Sequence, residues 1–166
     1  MKNTSLISLL FIVIFGLAFS FNSCNTDDTC RKSRIVLLGM NFYLDTINHL
    51  NNRLVVQKLS IDSLWVKGVG TDSVLYSNRK SINTVKLPLN SFAEESKFHF
   101  QFNTFTDTVT IRHKNINEFL SLECGYIRTF EIDTVISTKN FIDSISVTNN
   151  LVNTFYVENI QIHHNK

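Results

Sequence analysis

Six of the eight aspartates in this 166-residue chain are followed by Ser or Thr and then an apolar residue. The triplets are Asp45-Thr46-Ile47, Asp62-Ser63-Leu64, Asp72-Ser73-Val74, Asp107-Thr108-Val109, Asp133-Thr134-Val135 and Asp143-Ser144-Ile145. Composition alone predicts roughly one such triplet or fewer, so the pattern needs a chemical reason. An exposed Ser or Thr hydroxyl is a group that can be modified covalently. The same triplet is also how a strand begins. Aspartate closes a turn, Ser or Thr enters the extended backbone, and the aliphatic residue turns inward. Both readings stand at Thr46, Ser63, Ser73, Thr108, Thr134 and Ser144.

Other reactive groups are sparse. The histidines are His49, His99, His113, His163 and His164. His99 and His113 could meet across a hairpin and hold a metal with a carboxylate, but isolated histidines on polar strand faces are commoner, and no metal site is expected. There is no Gly-x-Ser-x-Gly elbow, phosphate loop or His-Glu-x-x-His pair. Neighbouring carboxylates such as Glu94-Glu95 usually diverge into solvent. No catalytic residue and no cofactor follow from the sequence. The net charge is +2, and apart from Arg31-Lys32-Ser33-Arg34 the basic residues are scattered without aromatic interleaving. That pattern argues against a nucleic-acid partner.

The chain starts with Lys2, an apolar run from Leu6 to Phe21, and then Asn22-Ser23-Cys24. A positive residue, an apolar core and a small-residue end form a secretory signal. The run is shorter than the roughly 20 apolar residues of a spanning helix and contains Ser8, Gly16 and Ser20, so the transmembrane reading is the weaker one. Residues 21–24 resemble the Leu-small-small-Cys cleavage site of bacterial lipoproteins, in the loose form of Bacteroidota. Ser23 fits that pattern, while Phe21 and Asn22 depart from it. The resemblance implies a signal peptide over 1–23, an acylated Cys24, a tether over 24–33 and a single β domain over 34–166. Plain secretion with an unmodified Cys24 is the alternative. Acyl chains on Cys24 would make the membrane a partner without a spanning segment. Asp27-Asp28 resembles a surface-export signal, which leaves both faces of the outer membrane open. With Cys24 acylated, Cys30 and Cys124 are an even pair in an oxidising compartment. A Cys30–Cys124 disulfide is expected, with two buried thiols as the alternative.

About 140 residues after the signal suffice for one domain with its own core. Five Gly and one Pro serve the whole chain, so Asn and Asp carry the turns, as at Asn51-Asn52 and Asn149-Asn150. Between turns the hydrophobic period is two. Strands are predicted over 34–44, 58–66, 73–77, 84–87, 97–105, 108–113, 123–134, 141–147 and 155–163. Phe98, Phe100 and Phe102 share one face of the clearest strand. A turn is placed at Thr106-Asp107, a loop at 115–120, and a bulge near Glu158-Asn159. Val36, Leu38, Met40 and Phe42 are to line one face, Leu59, Ile61 and Trp65 another, and Tyr126, Phe130 and Ile132 a third. The expected fold is all-β: an antiparallel sandwich of about eight strands, or a closed or partly open barrel.

Gly68-Val69-Gly70-Thr71-Asp72-Ser73, Leu87-Pro88-Leu89-Asn90, Thr106-Asp107-Thr108-Val109-Thr110-Ile111 and Cys124-Gly125-Tyr126 follow one another in that order. Together with the acidic tether they resemble a family of small uncharacterised Bacteroidota lipoproteins, a domain of unknown function. The resemblance implies an envelope lipoprotein of β fold and carries no activity. The Asp-Ser/Thr-apolar triplets likewise resemble the O-glycosylation signal of exported Bacteroidota proteins, which implies glycan acceptors among Thr46, Ser63, Ser73, Thr108, Thr134 and Ser144, with the strand-edge positions Thr46, Ser73 and Thr108 the better ones. The expected function is a non-catalytic, lipid-anchored module that contacts another envelope protein through an edge strand or loops. A binder of a glycan or lipid ligand is the alternative.

Overall fold

The computed structural model describes residues 34–122 and 124–165. The expected signal peptide over 1–23, Cys24, Cys30 and the expected tether over 24–33 lie outside the described residues. Eleven strands and no helix are found among the described residues: β1 (Leu38–Asn48), β2 (Arg53–Lys58), β3 (Leu64–Gly68), β4 (Val74–Arg79), β5 (Thr84–Leu87), β6 (Glu95–Phe102), β7 (Phe105–Ser121), β8 (Gly125–Ser137), β9 (Ser144–Val147), β10 (Leu151–Val152) and β11 (Ile160–Asn165). They build two sheets, one of them curled into a half-barrel.

In the first sheet β9, β11 and β1 are neighbours. The far edge of β1 is shared, with β5 opposite Leu38–Asn41 and β2 opposite Tyr43–Asn48. The second sheet runs β10-β8-β7-β6-β3-β4. All pairs are antiparallel except β1 with β11, where Met40 to Asp45 face Ile160 to Asn165 in the same direction. A parallel pair needs a long connection, and here the connection holds all six strands of the second sheet together with β2, β5 and β9.

The inner faces meet in one core. Leu38, Met40 and Phe42 of β1 and Ile160 and Ile162 of β11 pack with Phe98, Phe100 and Phe102 of β6 and with Val109 and Ile111 of β7. Phe42 and Phe102 touch edge to face at 5.6 Å. Burying the three β6 phenylalanines contributes roughly 5–9 kcal/mol at about 1.5–3 each. Strand β6 follows its pattern: Ser96, Phe98, Phe100 and Phe102 are buried while Lys97, His99 and Gln101 are exposed.

Several local expectations are corrected. The β6–β7 turn is Asn103-Thr104, because Phe102 pairs with Phe105 and Asn103 takes φ 52°. Asn is among the few residues that adopt that conformation readily. Residues 115–120 are not a loop but the distal half of β7, paired with β8. Leu64 and Val66, not Trp65, face the core, because the chain breaks at Asp62-Ser63. Asn103 pins that break: its Oδ1 accepts from Ser63 N–H at 3.0 Å, and its own N–H donates to the Ser63 carbonyl. Tyr126 is exposed rather than aligned with Phe130 and Ile132, since burial in β8 changes face between Thr129 and Phe130. Ile35, ahead of β1, is exposed, and the outward Asn41, Tyr43 and Asp45 of β1 are polar or aromatic before Ile47.

The expected 155–163 strand begins only at Ile160. Asn159 replaces the ladder ahead of it. This buried side chain accepts from Gly39 N–H at 3.1 Å and donates to the carbonyls of Asn149 and Leu151 at 3.0 and 2.9 Å. Its backbone N–H donates to the Gly39 carbonyl. Gly39 is required by closeness: a Cβ there would lie 2.3 Å from the Val157 carbonyl oxygen.

Candidate functional site

The outward face of the first sheet carries a polar cluster that ends in an apolar hairpin. Directly paired residues on adjacent strands share a face. Asn41, Tyr43, Asp45 and Ile47 of β1 therefore lie with Gln161 and His163 of β11, and with Lys58, Val56 and Leu54 of β2. Ser146 and Ser144 of β9 extend the row beside Gln161 and His163.

Glu158, just before β11, organises the polar end. Its carboxylate accepts from Tyr43 Oη at 2.7 Å, from Gln161 Nε2 at 2.5 Å and from Asn41 Nδ2. Burial pushes the Glu158 carboxyl up, but these three bonds and Lys58 outweigh it, so its pKa lies below the usual glutamate value. Burial, and then the bond to Glu158, raise the Tyr43 phenol. Tyr43 stacks on His163 at 5.6 Å, and His163 Nδ1 donates to both Asp45 oxygens at 3.0 and 3.1 Å. A carboxylate only accepts, so Nδ1 carries the proton. The cluster satisfies itself and leaves a rigid polar root.

Beyond it the β1–β2 hairpin leaves the core. Every residue of β2 is exposed, and Ile47, Leu50, Leu54, Val55 and Val56 present apolar side chains to solvent. Strand β2 pairs only with β1 among the described residues, so one of its edges is open. An open edge beside exposed aliphatic side chains is a template for another chain.

Two buried polar constellations lie elsewhere. Ser96 Oγ is 2.9 Å from His113 Nε2, and His113 Nδ1 is 3.0 Å from Asn115 Oδ1. Asn115 Nδ2 donates to the Ser91 and Ala93 carbonyls, so its oxygen faces the ring and Nδ1 is the protonated nitrogen. Burial holds the His113 pKa below the ordinary histidine value, partly opposed by Asn115 and Glu94. This is the contact order of a serine–histidine nucleophile pair. The Ser96 oxygen also accepts from Asn90 N–H at 2.8 Å and is buried, so the arrangement clamps the 88–94 loop to the sheet. A cleft of about 450 Å³ lies on the outer side of that clamp, lined by Val69, Ser73, Leu75, Leu89, Asn90 and Phe98.

Asp107, expected in a turn, is fully buried in β7. Its Oδ1 accepts from Thr138 Oγ1 at 2.7 Å and from Asn140 N–H at 2.9 Å. Its Oδ2 accepts from Phe141 and Ile142 N–H at 2.7 and 3.0 Å. Burial pushes this carboxyl up, and the four donors more than reverse it, leaving its pKa below the usual aspartate value.

The six triplet hydroxyls are dispersed. Ser73, Thr134 and Ser144 are exposed, while Thr46, Ser63 and Thr108 are half-buried. Thr108 Oγ1 bonds His99 Nδ1, Ser63 Oγ donates to Asn78, and Thr46 Oγ1 reaches the Val55 carbonyl. Three of the aspartates take structural work: Asp107 as above, Asp45 on His163, and Asp143 on Asn165 N–H. His99 and His113 do not meet; one is exposed on β6 and the other buried on β7. No cluster of three or more metal-ligating side chains occurs among the described residues. Of the polar root, sequence reasoning had no reason to single out Tyr43, Glu158 or Gln161. The available signal was the alternation of Asn41, Tyr43 and Asp45 opposite the buried Met40 and Phe42.

No curated protein and no solved structure matches the chain. Residues 63–164, which span β3 to β11, match a family of unknown function. The chain thus belongs to that family, DUF6452.

Proposed function

We propose that this chain is a lipid-anchored cell-envelope protein of the outer membrane, and that it acts as a non-catalytic interaction module whose docking element is the β1–β2 hairpin. The observation that carries this is an edge strand exposed along its whole length, with apolar side chains on both faces, standing on a rigid polar root. The partner is a second envelope protein that adds a strand or an apolar surface to β2. The lipid anchor rests on the Lys2-to-Cys24 segment. Intact mass of membrane-extracted protein should place Cys24 at the amino terminus with added acyl mass. A photo-crosslinking residue at Val55 should yield one discrete protein adduct in cells, lost when Leu54 and Val56 become lysine, while the same residue at Ser77 yields none. Equal labelling from both positions would overturn the docking element.

A small-ligand reading is favoured by one feature, the cleft beside Leu75 and Phe98, whose apolar floor and rim of Thr71, Ser73 and Asn90 suit a glycan or acyl chain. Leu75→Trp would fill it and should abolish binding of such a ligand without weakening the Val55 adduct.

The Cys30–Cys124 disulfide belongs to the same reading. What supports it is that the Arg34 guanidinium donates to the Cys124 carbonyl and that Cys30 is four residues before Arg34 in sequence. Exposed Ser73, Thr134 and Ser144 are the best-placed glycan acceptors, since a sugar there displaces no hydrogen bond that ties strands together.

A further inference from the structure

The distal β7–β8 hairpin is a two-stranded arm. Strand β6 ends opposite Arg112 and β10 reaches only Phe130 and Glu131, so from Ile116 to Thr129 the two strands pair only with each other among the described residues. Six residues of strand, Ile116 to Ser121, carry it roughly 20 Å outward. Its end is apolar. Leu122 is 96% exposed, Tyr126 68% and Phe119 52%, with Phe119 and Tyr126 paired across the strands at 5.2 Å. A solvated tip gains nothing from three large apolar side chains.

The start of the domain is at this same tip. Arg34 donates to the Cys124 carbonyl, and Cys24 is ten residues upstream of Arg34. Ten residues span at most about 35 Å. An acylated Cys24 thereby keeps the tip within reach of the bilayer. Arg34 supplies positive charge there, set against Glu118. Tyr and Phe suit the headgroup level, where an apolar body meets a polar border.

We infer that Phe119, Leu122 and Tyr126 form a membrane-contacting wedge that enters the interface of the same leaflet as the lipid on Cys24. The inference rests on the lipid-anchor reading above. The arm becomes a second point of attachment and fixes the orientation of the domain, with the β1–β2 hairpin left free for its partner.

The test uses the full-length acylated chain in vesicles of phosphatidylcholine and phosphatidylglycerol, with the phosphatidylcholine plain or brominated on its acyl chains. In a Trp65→Phe background, single reporters are placed by Leu122→Trp or Ser77→Trp, and circular dichroism checks that each variant is folded. The reporter at 122 should be quenched several-fold more by brominated lipid than that at 77. Adding Phe119→Ser and Tyr126→Ser should abolish that quenching while the protein still floats with the vesicles. Flotation with equal emission from both reporters would overturn the wedge and leave the anchor standing. Emission at 122 that shifts with protein concentration and ignores bromine would assign the tip to a second copy and likewise overturn it. A chain that does not float refutes the anchor and the wedge with it.

Discussion

Replacing Asp107 by asparagine leaves the shape of the side chain intact and removes one of two acceptor oxygens. The carboxylate serves four donors, two on each oxygen. Whichever way the amide is turned, one pair of donors meets an NH₂ group: either Thr138 hydroxyl and Asn140 N–H, or Phe141 and Ile142 N–H. A hydrogen bond to a charged group is worth about 1.5–3 kcal/mol, so losing two at the lower value costs about 3 kcal/mol. For a domain of this size that lowers Tm by roughly 10 °C. The penalty depends on pH. The folded pKa of Asp107 is depressed, so the unfolded chain binds the proton first as pH falls. Its stabilisation is complete above the unfolded value of about 3.9 and is lost as pH drops through the folded value. Urea unfolding followed by circular dichroism should therefore show a large gap between parent and Asp107→Asn at about pH 7 that begins to close as pH falls below the unfolded value of about 3.9. Amides of Asn140, Phe141 and Ile142 should exchange faster in the variant. A gap under about 0.5 kcal/mol at neutral pH, or one that stays constant through the acid range, would refute the account of this carboxylate as the clamp of the β8–β9 connection.

Asn159→Ala removes three side-chain hydrogen bonds that join β1 to the Asn149–Leu151 segment, and should destabilise by about 2–4 kcal/mol in the same assay. Gly39→Ala drives a methyl into the Val157 carbonyl and the Tyr156 ring, so the expected outcome is a fall in Tm larger than that of Gly68→Ala, where the close neighbour is the Thr71 side-chain hydroxyl rather than backbone. The imidazole of His113, followed by NMR, should titrate below the ordinary value of about 6.5. Because its folded pKa is lowered, the stability tied to its neutral form is full above that value and declines as pH falls through the folded one. Non-reducing digestion should recover the Cys30 and Cys124 peptides joined, and separate peptides would refute the bridge.

The period-two pattern was legible wherever one face of a strand is buried. Residues 84–87 and the Phe98-Phe100-Phe102 row were readable because nothing competes with alternation there. It failed where a polar residue redirects the chain. Asp62-Ser63 shifts the phase so that Leu64 replaces Trp65 inside, and Asn159 ends the alternation that Phe155 and Val157 begin. Asp107 read as a turn residue because aspartate in a strand interior is rare; four donors from a segment some thirty residues away make it tolerable, and no local pattern reports them. Residues 115–120 looked like a loop for want of a buried face, and the arm they form has little core behind it. The candidate docking edge was expected in kind, as an edge strand. Its location in β2 was not, since Arg53 to Lys58 carries neither a buried face nor a turn signal.

The parallel pairing of β1 with β11 bears on how the chain is made. The first strand of the domain cannot complete its ladder until Ile160 to Asn165 have been synthesised. An emerging chain can zip β6, β7 and β8 as it appears, because those partners are neighbours in sequence. Met40 and Phe42 must wait with an open flank, through nearly the entire domain, for a closing strand. A carrier that shields that flank during transit would thus act on the oldest residues of the domain rather than the newest.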